Sequence, residues 1–137
     1  MSGIKTSVSV KLSWPDKALN PNSRAHRMAV WRVKKDAKFE AGWSTRASLG
    51  LDTFDPGEGR IPVHYTATPP IARDRDDDNL IASCKGQQDA IAKALGVNDN
   101  LFIAPTIEWL PPVAPGSLTI TVGPRTLADA KRLGVAK

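Results

Sequence analysis

Residues 73–80 read Arg73-Asp74-Arg75-Asp76-Asp77-Asp78-Asn79-Leu80, and this acidic run stands between a predicted strand and a predicted helix. It places four aspartates within five positions of a chain whose formal net charge is +5. Carboxylates this close repel one another, so a folded chain must offset the repulsion with solvent, with the flanking arginines or with a bound divalent cation. The sequence on either side of the run helps to choose between these explanations.

The elements around the acidic run follow from the spacing of apolar residues. Before it, alternation from Ile61 to Ala67 predicts a strand, which Pro69-Pro70 closes. After it, apolar residues at helical spacing predict one helix from about Asp78 to Leu95, with Gly96 as its C-cap. Cys84 lies on the apolar face of that helix, which is typical of a small core residue.

The same patterns extend the prediction to the rest of the chain. They predict a long helix that starts from an N-cap at Ser23 and runs to about Trp43 or Leu51, and further strands at residues 8–14, 106–110 and 117–122. We therefore predict an α+β fold, with a mixed β-sheet and two main helices. Residues 1–137 would form one small domain that includes a basic tail from about residue 123.

The composition is that of an ordinary globular domain, with 41% hydrophobic and 24% charged residues. No apolar run approaches the ~18–20 residues of a membrane span, and no signal peptide opens the chain. Cys84 is the only cysteine, which excludes an intrachain disulfide and a zinc site built from several cysteines. We expect a cytoplasmic protein that does not enter a membrane.

A basic run marks the predicted N-terminal helix. Against the single acid Asp36, residues 24–38 hold six cations: Arg24, Arg27, Arg32, Lys34, Lys35 and Lys38. Such a surface favours a polyanionic partner, most commonly nucleic acid. The alternative is a helix face that is simply solvated.

The acidic run also has the residue types of a metal site. Asp76 and Asp78 stand at positions i and i+2, which point the same way in an extended segment. Lys85 and Asp89 share a helical face with Asp78. Carboxylate oxygens suit Mg²⁺ or Mn²⁺, and such an ion can activate water for phosphodiester hydrolysis.

Each of these residues also has a structural explanation. Aspartates at the start of a helix cap free N–H groups, and Lys85 with Asp89 is an ordinary surface pair. Asp99 lies in a turn after the helix, and a straight helix would hold it ~25 Å from Asp78. It can join the other aspartates only if the helix is short or bent, or if a second subunit supplies it.

The order of the motifs carries a family resemblance. The chain reads Asp76-x-Asp78-Asn79-Leu80, then Lys85-x-x-x-Asp89-Ala90-Ile91, then Ala94-Leu95-Gly96-Val97-Asn98-Asp99. Upstream stand Trp14-Pro15 and Asn20-Pro21-Asn22-Ser23-Arg24-Ala25-His26. Over roughly residues 7–122 this pattern resembles the RusA family of Holliday junction resolvases, which bacteria and their prophages encode. Lys85 follows Asp78 at a longer spacing than in the best-known form of that family.

The resemblance implies a small α+β subunit that forms a homodimer, binds four-way DNA junctions and makes paired nicks with Mg²⁺. It implies that Asp76, Asp78 and Asp99 bind the metal and that Lys85 is the essential lysine. Asp77 leaves open which of the three adjacent carboxylates are ligands. Asp74 is interpreted as a bystander balanced by its neighbouring arginines.

The expected function is therefore a crossover junction endodeoxyribonuclease, with Mg²⁺ or Mn²⁺ as cofactor and branched DNA as substrate. The cations expected to hold DNA phosphates are Arg24, Arg27, Lys34, Lys35, Lys38, Arg73 and Arg75. Two alternatives stay open: a non-catalytic DNA-binding accessory protein of replication or recombination, and a metal-dependent phosphohydrolase of small substrates.

Overall fold

The computed structural model of the 137-residue chain describes residues 3–20, 23–24, 26–73 and 75–124. Its helices are α1 (Arg27–Leu49), α2 (Asp77–Ser83) and α3 (Lys85–Leu95). Its strands are β1 (Ile4–Lys5), β2 (Val8–Ser13), β3 (Thr53–Phe54), β4 (Val63–Thr68), β5 (Thr106–Trp109) and β6 (Ser117–Val122). Short 3₁₀ turns lie at Lys17–Leu19 and Asp99–Leu101. The α+β class with a mixed sheet is confirmed.

The main sheet has the strand order β2-β6-β4-β5. The strand β6 is antiparallel to both of its neighbours, whereas β4 and β5 are parallel. Parallel neighbours require a crossover connection, and α2 and α3 form the crossover from β4 to β5. The acidic run thus begins the crossover immediately after β4.

One face of the sheet packs against the helices to form the core. The alternation predicted from the sequence places Val8, Val10 and Leu12 of β2 on this face, and β4 and β6 contribute in the same way. The helices add Ala41, Leu80, Cys84, Ile91 and Leu95 to the same cluster. Burying a Val, Leu or Ile side chain contributes ~1.5–3 kcal/mol, so the cluster fixes how the helices lie on the sheet.

The buried Cys84 confirms the prediction of a core residue, since its side chain is fully covered. Burial raises the pKa of its thiol to about 12. The thiol is therefore protonated at neutral pH and acts as a small apolar group.

The helix α1 begins later than the sequence predicts, so the prediction of Ser23 as its N-cap is wrong. The first helical residue is Arg27, and the Nδ1 atom of His26 accepts a hydrogen bond from the Met28 N–H at 3.1 Å. The imidazole nitrogen takes the place of the side-chain oxygen that usually accepts at this position. The helix then continues to Leu49, within the predicted limits.

The prediction of one continuous helix from Asp78 to Leu95 is also wrong. The chain breaks into α2 and α3 at Cys84, whose φ of −101° and ψ of 6° lie in the bridge region. Gly86 lies two residues further on, and glycine is a poor helix former. Gly96 does form the predicted C-cap, with φ 76° and ψ 27°.

The predicted strands agree with β2, β4, β5 and β6 to within two residues at each end. The pair β1–β3 was not predicted, because two-residue strands show no periodicity. Ile61 lies just outside β4 and forms an isolated bridge with Phe102. Asp74 and the basic tail beyond residue 124 lie outside the described residues. Within the described part, no helix combines the length and the apolar character needed to cross a membrane.

Gly123 offers a test of the contact between the end of β6 and the loop before β2. Its φ is 112°, and a Cβ there would clash with the Thr6 carbonyl oxygen. We expect Gly123→Ala to lower the free energy of unfolding by at least roughly 3 kcal/mol, through strain and steric clash together. The measurement is urea denaturation followed by circular dichroism.

Gly57 is the matched control, because its φ of 92° is also positive but a Cβ added there would point into open space. Gly57→Ala should cost only about 1–2 kcal/mol, the strain alone. Equal losses in the two variants would contradict the close approach at Gly123.

Candidate active site

Three strands of the main sheet end at the same edge. Because β2 and β4 are both antiparallel to β6, and β5 is parallel to β4, these three strands point the same way. Their carboxyl ends bring together Trp14, the acidic run and Trp109. The two indole rings lie 6.2 Å apart between centroids, with their planes inclined by 52°. The topology thus gathers an acidic segment and two aromatic side chains at one edge.

The three aspartates that open α2 have different surroundings. Asp76 is the N-cap, and its Oδ1 accepts a hydrogen bond from the Asp78 N–H at 2.8 Å. Asp77 accepts a hydrogen bond from the Trp109 Nε1–H at 2.7 Å. Asp78 lies in the first turn of α2, and all three residues are exposed. The capping explanation is confirmed for Asp76, while each carboxylate keeps oxygen lone pairs for a further partner.

A cleft of about 500 Å³ lies beside these aspartates, and we call it the tryptophan cleft. Both indole rings, Arg73, Arg75 and Asp76 are among the residues that line it. The Arg75 guanidinium lies over the Trp14 ring, 5.0 Å from its centroid. Burial lowers the pKa of Arg75, and repulsion from Arg73 lowers it further. Cations and aromatic faces here suit the phosphates and bases of a nucleic acid.

A second cleft of about 300 Å³ lies between α1 and the start of α3, and we call it the lysine cleft. Three lysines line it together with Asp89: Lys34 and Lys38 from α1, and Lys85 from α3. The helices approach closely at Gly86, where a Cβ would lie 3.1 Å from the Lys38 Cε. Ser83 lines both clefts, so they are neighbours on either side of the end of α2.

The carboxyl groups of Asp89 and Asp99 meet beside the lysine cleft. The C-cap at Gly96 turns the chain, and the Asn98 side chain accepts a hydrogen bond from the Asn100 N–H at 2.9 Å. This brings Asp99 back to α3, within hydrogen-bond distance of Asp89. The structure therefore brings Asp99 and Lys85, two of the predicted site residues, to the same aspartate.

The Asp89–Asp99 pair is electrostatically unfavourable when both groups are ionised. Partial burial raises the pKa of Asp89 most, and the hydrogen bond and the repulsion from Asp99 raise it further. Lys38 and Lys85 act in the opposite direction. A shared proton or a bound cation would relieve the repulsion between the two carboxylates.

The predicted metal ligands do not all meet within one subunit. Among the described residues, no three His, Cys, Asp or Glu side chains are close enough to hold a metal ion together. Asp76, Asp78 and Asp99 therefore form no three-carboxylate group in the described part of one chain. The donor chemistry still fits Mg²⁺, which often takes one or two carboxylates and fills its other positions with water and phosphate oxygens. The Mg²⁺ site stays a prediction.

The cations predicted to bind DNA are divided among several surfaces. Arg73 and Arg75 line the tryptophan cleft, and Lys34 and Lys38 line the lysine cleft. The Lys35 ammonium instead lies over the Trp31 ring, 5.2 Å from its centroid. Arg24 and Arg27 are exposed at the start of α1.

Sequence reasoning missed the contact of Asp89 with Asp99 and the approach of Lys38. The sequence does hold one indication of the Asp89–Asp99 contact. Asp89 shares a helical face with Lys85, and Gly96 allows the chain to turn back toward α3. The approach of Lys38 depends on how α1 packs on α3, which periodicity does not specify. Trp109 gave no signal, because its place beside Asp77 follows from the parallel pairing of β4 and β5.

Comparison with known proteins gives one informative match. No protein family model matches the chain. An uncharacterized protein of Xylella fastidiosa strain Temecula1 is 38% identical over 116 residues, which cover 79% of this chain and 71% of that protein. The name of this relative assigns it no activity.

The Asp89–Asp99 pair predicts a pH-dependent loss of stability. A carboxyl whose pKa is raised on folding binds its proton more tightly in the folded state, so the free energy of unfolding falls as pH rises above the ordinary aspartate pKa. Asp89→Asn supplies a hydrogen-bond donor to Asp99 and removes one charge. In EDTA at pH 7 we expect it to raise Tm by about 1–2 °C, since like-charged neighbours cost ~0.2–0.5 kcal/mol.

The measurement is thermal unfolding between pH 3 and pH 8, in which the variant should lose part of the decline that the wild type shows. Asp36→Asn, at an exposed position of α1, is the control for a general change in charge. A lower Tm for Asp89→Asn than for the wild type at pH 7 would contradict the repulsion between the two carboxylates.

Proposed function

This chain belongs to the same protein family as the uncharacterized Xylella fastidiosa protein, and we propose that it is a divalent-metal-dependent endodeoxyribonuclease that nicks branched DNA such as four-way junctions. The observation that carries the proposal is the meeting of Asp89 and Asp99 beside Lys85 and Lys38. Paired carboxylates next to lysines suit a metal ion and a phosphate at the same place. The resemblance to RusA-type resolvases adds support to this choice of substrate.

In the proposed site the carboxylates hold the ion and the lysines receive the phosphate. Asp99 is a predicted ligand, and its contact with Asp89 places a second carboxylate beside it. Asp76 and Asp78 are the other predicted ligands, at the start of α2. A bound Mg²⁺ or Mn²⁺ would supply a water of lowered pKa and stabilise negative charge on the phosphate.

The lysines of the site have a distinct role in this proposal. Lys85 lies one helical turn before Asp89, and Lys38 reaches the same aspartate from α1. Ammonium groups placed there would stabilise charge that develops on the phosphate oxygens and on the leaving oxygen. Lys85 is the lysine that the family resemblance also selects.

The substrate would be recognised through its shape and its phosphates. The predicted DNA-binding cations border both clefts and the start of α1. Phosphate contacts give binding that weakens steeply with salt and carries no sequence information. A homodimer would present two such sites to symmetry-related strands, and it could combine acidic groups from both subunits.

A non-catalytic DNA-binding protein is the second candidate, and two contacts favour it. Asp76 caps α2, and Asp77 accepts a hydrogen bond from Trp109. Both aspartates thus stabilise the fold without any metal, which is what an accessory protein would require of them.

A nicking assay separates the two candidates. Incubated with a synthetic four-way junction and Mg²⁺ or Mn²⁺, the wild type should produce paired nicks, and EDTA should abolish them. Asp78→Asn, Asp99→Asn and Lys85→Ala should each lower the nicking rate by roughly 100-fold or more, with Asp36→Asn as the unchanged control. Denaturing gels report the nicks, and gel shifts report binding.

The outcomes of this assay are distinct. If the wild type binds the junction but nicks it neither with Mg²⁺ nor with Mn²⁺, the enzyme proposal is refuted and the accessory protein is favoured. If Asp78→Asn nicks as fast as the wild type, Asp78 is not a ligand, although the enzyme itself stands.

Metal binding can also be tested without catalysis. A ligand that binds only the folded state raises stability by mass action, so Mn²⁺ at about 100 times its Kd should raise the wild-type Tm by roughly 5 °C or more. Asp89→Asn and Asp99→Asn should lose most of this shift, and Asp36→Asn should keep it. An equal rise in Tm for the wild type and all three variants would show that the ion binds away from Asp89 and Asp99.

A further inference from the structure

The outward face of α1 carries large apolar side chains that the rest of the described chain leaves uncovered. Their exposed fractions are 56% for Met28, 57% for Trp31, 74% for Phe39 and 65% for Trp43. We call these four residues the aromatic stripe. Several large apolar side chains exposed along one face of a helix commonly mark an interaction surface.

The aromatic stripe is a surface separate from the two clefts. At about 100° per residue, its four members fall within an arc of about 120° around α1. The buried Ala41 and Thr45 lie on the opposite, core-facing side of the helix. Lys34 and Lys38, which line the lysine cleft, lie on the same side of the helix as these buried residues.

Three exposed cations share the arc of the aromatic stripe, namely Arg32, Lys35 and Arg46. Lys35 lies in line with the rings and contacts the Trp31 face at 5.2 Å from its centroid. Over Arg27–Leu49 the helix has only two acids, and neither falls within the arc. Of these, Glu40 turns to the sheet, where it accepts a hydrogen bond from the Ser13 hydroxyl at 2.6 Å.

This pattern of charge discriminates between possible occupants. A second copy of the chain packed face to face would set three cations against three cations, which is unfavourable. An anionic lipid surface favours a continuous apolar face with cations at its margins, whereas here the cations alternate with the rings. A partner that alternates negative charges with planar apolar groups complements the stripe best.

We propose that the aromatic stripe binds single-stranded DNA, by stacking bases on Trp31, Phe39 and Trp43 while Arg32, Lys35 and Arg46 contact phosphates. A ring can stack on a base only where the face of that base is open, which favours unpaired strands over duplex. The helical rise from Phe39 to Trp43 is ~6 Å, close to twice the ~3.4 Å per nucleotide of a stacked strand. One base therefore fits between two successive rings.

This inference goes beyond the proposed nuclease function and does not depend on it. Single-strand binding needs neither the carboxylates nor a metal ion. If both hold, the stripe would favour branched DNA that has an unpaired stretch, such as a flap or a gapped junction, over a fully paired four-way junction.

The test is binding of fluorescently labelled oligo(dT) in EDTA, measured by anisotropy, together with quenching of tryptophan emission by the unlabelled strand. Phe39→Ala combined with Trp43→Ala should weaken binding roughly 5- to 100-fold and reduce the quenching. Phe39→Tyr combined with Trp43→Phe keeps the rings and should keep the affinity. Val113→Ala is the control, because Val113 is 62% exposed and lies off α1.

Exposed positions should tolerate these changes, and a thermal melt of each variant checks the fold. Wild-type and double-alanine proteins that bind oligo(dT) equally well would overturn the proposal, as would a wild type that does not bind it at all. Binding to phosphatidylserine–phosphatidylcholine vesicles but not to oligo(dT) would assign the stripe to lipid. A dimer that the double-alanine change dissociates in sedimentation, with unchanged oligo(dT) binding, would assign it to self-association.

Discussion

The parallel pairing of β4 with β5 is the constraint on which the arrangement of this protein depends. Two parallel neighbours cannot be joined by a hairpin, so the chain must cross the sheet, and it does so through α2 and α3. The crossover leaves β4 at the acidic run and returns through the turn that holds Asp99. The acidic run and the turn that holds Asp99 therefore lie at opposite ends of one connection. The helix α1 packs against the second half of this connection.

Charge within this connection is balanced locally rather than over the whole surface. Asp89 and Asp99 stand together at a cost, and Lys38 and Lys85 offset part of it. Lys85 belongs to the same helix as Asp89, whereas Lys38 comes from α1 and is distant in sequence. At the other end of the connection, Arg75 precedes Asp76 and its guanidinium lies over the Trp14 ring. A site that must hold both a cation and a polyanion requires this mixture of signs.

The sequence predicted the fold class and most strands because their periodicity of two is a direct consequence of one buried face. It predicted the C-cap at Gly96 because glycine tolerates a positive φ. It did not predict the break at Cys84, since the apolar spacing there continues through both helices. The contact of Asp89 with Asp99 was not predicted from the sequence either, because it depends on the path of the chain after α3 and not on any local pattern.

Cys84 has a practical consequence for anyone who studies this molecule. It is the only cysteine of the chain, and its side chain is fully covered. A thiol that is both inaccessible and protonated reacts poorly with maleimides and similar reagents. A cysteine introduced on the surface, for example on α1 or beside either cleft, would thus be the single position that a dye or spin label modifies. The native core would stay intact, and the label would report from one known position on an otherwise unaltered protein.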